Sequence, residues 1–269
     1  AGNDASTSIS VSGAAGVRVD TSAPYMSITS SSNTVSGAFT ATFTFNEDVS
    51  GFGLSDISVG NGSASSFNTT SAKIYTATIT PLADGDVDID VLANTATDAA
   101  GNNNTAATQL TVVNDETAPA APIVASISTD AGNSATDNLT NDQTLEINGT
   151  SEANASVEVF IGGNSIGNTT ADGSGDWTFD YTGSSLPEAS YSITAKATDA
   201  AGNESALSGT LNITIDASAP SVSTGTIVGK TYGLTENVDV TYVFNETVLV
   251  DETNGTPSVT IAMGGQNRA

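Results

Sequence analysis

The sequence contains no cysteine and no histidine. That removes the thiolate nucleophile, the usual general base near neutral pH and the commonest zinc ligands. Ser-His-Asp and Cys-His catalysis are excluded outright. Cations are scarce: 5 Lys+Arg face 30 Asp+Glu in 269 residues, a net charge of −25. Nucleic acid needs a basic footprint and so does an anionic membrane surface, so neither is expected as a partner. No apolar run approaches the ~18 residues of a membrane-spanning helix, and no membrane insertion is expected in this segment. Aromatic residues reach only 6% and apolar residues 38%. That is thin for one large core and sufficient for several small ones. Much of the remainder is Thr, Ser, Asn and Gly, a β-rich and polar-surfaced mixture.

What the sequence does have is repetition. The pattern D-x-x-A-P begins at Asp20, Asp115 and Asp216, at intervals of 95 and 101 residues. The heptapeptide ATDAAGN occupies 96–102 and recurs letter for letter at 197–203, again 101 residues on. ATFTFNEDV at 41–49 is echoed by VTYVFNETV at 240–248. Repeats of this length mark tandem modules. The expected division is 1–19 as the last strand of an upstream domain, 20–115 and 116–216 as complete domains, and 217–269 as the first half of another. On this reading the chain is a piece of a longer array.

The repeat order places a strand over 8–19, between an AGN that ends like ATDAAGN and the linker at Asp20, and period-2 alternation predicts strands over 39–45, 74–80, 87–91 and 110–113. In the second repeat it predicts strands over 144–149, 157–161, 166–170, 177–181, 191–197 and 211–215. Turn residues punctuate them every 8–12 positions, the spacing of an antiparallel sandwich. No segment has the helical periodicity that parallel crossovers require. In such a sandwich the loop between the last two strands lies at the pole where the chain enters, so ATDAAGN faces the incoming linker. This places Asp20, Glu47, Asp98 and Asn102 together at the first junction. Asp115, Glu116, Glu152, Asp199 and Asn203 meet at the second, approached from the other side by Asp84 and Asp86. At the third, Asp216 is set with Asp137 or Asp142, and with Glu246. Converging carboxylates repel without a cation, and mixed carboxylate and carbonyl oxygens suit Ca²⁺. The competing reading is that these Asp and Asn residues cap turns through local side-chain to backbone bonds.

Residues 20–216 resemble the tandem bacterial immunoglobulin-like domains of large secreted or surface adhesins, including biofilm-associated and type I-secreted repeat adhesins. DNLTND (137–142), GTSE (149–152), GDWTF (175–179), ATDAAGN and ITID (213–216) carry the resemblance in the second repeat. FNEDVSGF (45–52), LSDI (54–57) and YTATITP (75–81) carry it in the first. FNETV and NGTPSVTI (254–261) carry it in the last. The resemblance implies an all-β chain of tandem Ig-like sandwiches in an extended array, with calcium at domain junctions and a surface or extracellular location. It also implies a non-catalytic extender whose neighbours are adjacent repeats. A host surface, a glycan or a neighbouring cell would then be engaged through domains outside this sequence. Two rivals share the fold: a carbohydrate- or protein-binding module, and accessory domains of an extracellular enzyme.

Some signals point to chemistry and fail on inspection. Asp84-x-Asp86-x-Asp88 opens like an EF-hand loop, but Ile89 stands where glycine is required. Asp88 and Asp90 belong to a solvated strand face. Gly163-x-Ser165-x-Gly167 spells a nucleophile elbow, yet it joins two short strands and has no His to serve it. Trp177, the single tryptophan, shares an alternating face with Phe179 and Tyr181, as a core-facing strand would.

Overall fold

The computed structural model describes residues 19–132, 134–227, 239–250 and 253. The strand expected over 8–19 falls almost wholly outside these residues, and the 254–261 motif wholly so. The chain divides into two compact units, Ala1–Ile215 and Asp216–Ala269. The first unit contains two sandwiches.

In the first sandwich the strands are β1 (Met26–Ser30), β2 (Thr34–Val35), β3 (Phe39–Phe45), β4 (Ile57–Gly60), β5 (Gly62–Thr69), β6 (Ile74–Pro81), β7 (Gly85–Val91) and β8 (Leu110–Asn114). One sheet runs β1-β3-β6-β5 and the other β2-β8-β7-β4. Alternation on β3 buries Phe39, Ala41, Phe43 and Phe45, while β7 buries Val87, Ile89 and Val91. These faces close on each other, and Phe52 fills the end of the core. Its ring lies 5.2–5.7 Å from the rings of Phe43, Phe45, Phe67 and Tyr75. The outward face of β7 is polar: Thr111 Oγ1 donates to Asp88 at 2.6 Å, and Gln109 Nε2 donates to Asp90 at 2.8 Å.

The second sandwich is built from β9 (Ile123–Ser128), β10 (Leu139–Thr140), β11 (Glu146–Thr150), β12 (Ser156–Ile161), β13 (Asn164–Thr170), β14 (Asp176–Asp180), β15 (Ala189–Thr198) and β16 (Leu211–Ile215). Its sheets run β14-β11-β9 and β10-β16-β15-β12-β13. Here the strand after β12 stays in its partner's sheet. Gly162 and Gly163 both take positive φ, +58° and +81°, and form the two-residue turn that returns β13 along β12. Such a turn matches the twist of an antiparallel pair. In the first sandwich β5 crosses instead to pair with β6. The two modules thus share a plan and differ in where one edge strand is placed.

Among the described residues the second unit contributes one antiparallel pair, β17 (Val222–Ile227) with β18 (Val240–Phe244). Its start repeats a contact of the first sandwich. Ser221 N–H donates to Asn245 Oδ1 at 2.6 Å, as Tyr25 N–H donates to Asn46 Oδ1 at 2.8 Å.

Candidate functional site

The two ATDAAGN segments form the same turn, the first between β7 and β8 and the second from the end of β15 into its connection to β16. In the first, Asp98 Oδ1 accepts the N–H groups of Ala100 and Asn102 at 2.8 and 2.9 Å. In the second, Asp199 Oδ1 accepts those of Ala201 and Asn203 at 2.9 and 2.8 Å. Gly101 and Gly202 turn the chain at φ +90° and +94°, which an L side chain adopts only with strain. The terminal Asn then acts twice. Asn102 Nδ2 donates to Asp98 Oδ2 at 2.8 Å and to the carbonyl of Asp20 at 3.1 Å. Asn203 Nδ2 donates to Asp199 Oδ2 at 2.9 Å and to the carbonyl of Asp115 at 2.7 Å. Each sandwich therefore grips the linker that enters it.

These bonds favour the ionised carboxylates. The Asn102 amide, joined by three loop N–H groups, outweighs desolvation and holds Asp98 below the usual Asp range. Burial pushes Asp199 up, but the Asn203 amide and the N–H groups of 201–203 prevail and leave it lowered too.

The linker aspartates have a common local role. Asp20, Asp115 and Asp216 each accept, through Oδ1, the N–H two residues on: Ser22 at 3.0 Å, Thr117 at 3.0 Å and Ser218 at 3.2 Å. This side-chain-closed turn sets the chain direction ahead of Ala-Pro. Asp137 and Asp142 do the same, accepting from Leu139 at 3.1 Å and Thr144 at 2.8 Å.

At the junction between the sandwiches, Asp84 takes part from the first. Its Oδ1 accepts Glu116 N–H and its Oδ2 accepts Thr117 Oγ1–H, both at 2.7 Å. The Thr117 hydroxyl, then the Glu116 N–H, lower the Asp84 pKa. Asp115 N–H donates to Val35 O at 2.9 Å. Buried Asn114 accepts Gly37 N–H at 2.9 Å and donates to Ala83 O at 3.1 Å. Residues 31, 32, 34–40 and 199–202 border a cleft of about 560 Å³. A Cβ on Gly37 would stand 3.8 Å from Glu116 Oε1. Asp86 remains on the exposed face of β7, opposite Val113.

One carboxylate trio converges among the described residues. Asp20, Glu47 and Asp98 offer oxygens all within 4.8 Å of one another, with Asp98 buried, Glu47 half-buried and Asp20 exposed. The corresponding Asp115, Glu152 and Asp199 share a pole but do not form so tight a group. Glu152 is exposed beside Ala120, Ala121 and Ile123. Asn102 and Asn203 present amide N–H groups, not carbonyl oxygens, to their partners. Asp137 and Asp142 belong to the first unit and Asp216 opens the second.

Several polar residues escaped the sequence analysis. Asn104 is buried; its Oδ1 accepts Thr95 and Ala96 N–H at 2.8 Å and its Nδ2 donates to Leu92 and Thr105 carbonyls at 3.0 and 2.9 Å. Ser205 and Ser208 serve the second loop, accepting Ala197 and Ala195 N–H at 2.9 Å.

No curated protein sequence matches the chain. Among solved structures, it is similar to fibronectin(III)-like modules of Clostridium thermocellum CbhA, at 18% identity over 70% of this chain and 93% of that one, TM-score 0.38. It is also similar to a tetra-tandem repeat from the extending region of a large adhesion protein, at 17% identity over 82% of this chain and 63% of that one, TM-score 0.31. A biofilm associated protein's BSP domain matches at 17% identity over 73% of this chain and 30% of that one, TM-score 0.27. Two family profiles, each described as a bacterial Ig-like domain, match residues 20–113 and 117–217. With two sandwiches in register with these matches, the chain belongs to the bacterial Ig-like domain family.

Proposed function

We propose that this chain is a non-catalytic extender segment of a secreted or cell-surface bacterial adhesin, stiffened by Ca²⁺ at its domain poles. One observation carries the reading: each sandwich directs its ATDAAGN asparagine onto the carbonyl of the linker aspartate before it. That device joins module to module. Residues 1–19 and 217–269 are read as parts of further modules of the same array. The binding of a host surface, a glycan or another cell is assigned to domains elsewhere in the protein.

The acids fit calcium in chemical type. Asp20, Glu47 and Asp98 supply only hard oxygens, and Ca²⁺ takes six to eight of these. Buried Asp98 would anchor the ion; Asp20 and Glu47, nearer the surface, would leave room for water ligands. At the second junction the candidates are Asp115, Glu116, Glu152, Asp199, Asp84 and Asp86, where an ion would add to the hydrogen bonds already made there.

The extender reading is tested in the producing bacterium. Residues 20–216 are replaced by two unrelated sandwiches of equal length. Retained adhesion is expected, since span and stiffness are what the segment contributes. Lost adhesion, with surface display intact, would show that these domains bind the target themselves.

A further inference from the structure

We infer that residues 115–117 form an interlocked joint whose protein hydrogen bonds suffice to fix the two sandwiches to each other when no metal ion is bound. The basis is the order of the anchors along the chain. The second sandwich reaches back: Asn203 holds the carbonyl of Asp115. The first reaches forward, and Asp84 holds the N–H of Glu116 and the hydroxyl of Thr117. The forward anchor thus lies beyond the backward one. A free hinge needs a residue between the last hold of one body and the first hold of the next. Here the holds overlap, so no such residue exists. Any rotation of one sandwich against the other must break the Asn203 bond or the Asp84 bonds.

Other groups of the segment are committed as well. Asp115 N–H is bonded to Val35 O, and Thr117 N–H to the Asp115 carboxylate. Asn114, immediately before, is buried and bonded to Gly37 and Ala83 of the first sandwich. Three of these holds use a carboxylate acceptor, and charge-assisted bonds are roughly twice as strong as neutral ones. The Asn203 bond is itself preorganised, because Asp199 fixes the same amide nitrogen at 2.9 Å.

The joint is a property of the geometry and rests on the extender reading only for its use. If the domain replacement abolished that reading, the joint would still stand or fall by the following measurement. Residual dipolar couplings are recorded on the full 269-residue chain in excess chelator. Wild type is expected to fit a single alignment tensor across both sandwiches. Asn203→Ala with Asp84→Ala should require two tensors, and Glu116 amide exchange should quicken about tenfold or more. Asn102→Ala removes the matching contact at the other pole and should leave one tensor. Dispersed spectra and protected Val87, Ile89, Val157 and Ile193 amides establish that each sandwich remains folded. Should a folding defect appear in the double variant, Asn203→Asp replaces it, keeping size while removing the donor. Two tensors in chelated wild type, or one tensor in a folded variant lacking the clamp, would overturn the inference.

Discussion

At the scale of single residues, Asp98 and Asp199 organise the two ATDAAGN loops, and the bonds that they accept favour their ionised forms. Asp199 accepts two loop N–H bonds and the Asn203 amide, so its folded-state pKa is lowered despite burial. An ordinary Asp titrates at about 3.9. A lowered folded value means that the stabilisation is fully present above that pH and is lost as pH falls through the folded pKa. Relief of general acidic repulsion acts in the opposite direction over the same range, which obscures the effect in wild type alone. Comparison with Asp199→Asn isolates it. Trp177 is the single tryptophan and lies in the second sandwich, so its fluorescence reports that domain. Between pH 6 and pH 3 in chelator, the urea midpoint of wild type should fall further than that of the variant. Parallel behaviour would remove Asp199 from the stabilising set.

At the scale of elements, the longer strands with clear apolar alternation were legible in the sequence, and mainly polar β13 was read in part over 166–170, whereas β1, β4 and β9 went unread because each offers only two or three large apolar positions. The predicted 39–45 strand is β3, and 211–215 is β16. β5 was not visible, because its GSASSFNT sequence buries little and alternates weakly. β2 and β10 are two-residue pairs, too short to show any period. The pole that ATDAAGN occupies followed from strand order, but the atom it would grip did not, since that depends on the turn at Gly101 and Gly202. Gly149 shows the same limit. It sits where the β9–β11 register shifts, and an added Cβ would fall 2.0 Å from Ile123 O and 2.3 Å from Trp177 Cζ2. The Trp177 indole N–H has no partner among the described residues, so packing of the ring against this bare backbone holds it. Gly149→Ala must push a main-chain carbonyl and a buried ring apart, at a cost of about 3 kcal/mol. The expected result is a lower midpoint for the Trp177-reported transition with the first sandwich unchanged. An unaltered midpoint would mean that β9 yields freely.

At the scale of the whole molecule, charge governs. A net −25 is set against one ion pair among the described residues, Lys196 with Glu204 at 2.5 Å. Both partners are exposed enough to contribute little. Salt weakens that pair but screens far more repulsion, with a Debye length falling to about 10 Å at 0.1 M. Sodium chloride should therefore raise the melting temperature, most steeply at low ionic strength. Calcium chloride at the same ionic strength separates screening from site binding. Any stabilisation beyond the sodium value measures ions held at particular carboxylates. Glu47→Gln then localises it, because among the described residues the one hydrogen bond to the Glu47 side chain is that donated by Asn46 Nδ2 at 3.3 Å. Removing one of three carboxylates should weaken calcium binding roughly tenfold while leaving the sodium response intact. Equal effects of the two salts would assign the acids to turn-making and solubility, and the joint at 115–117 would then be held by hydrogen bonds without a cation's help.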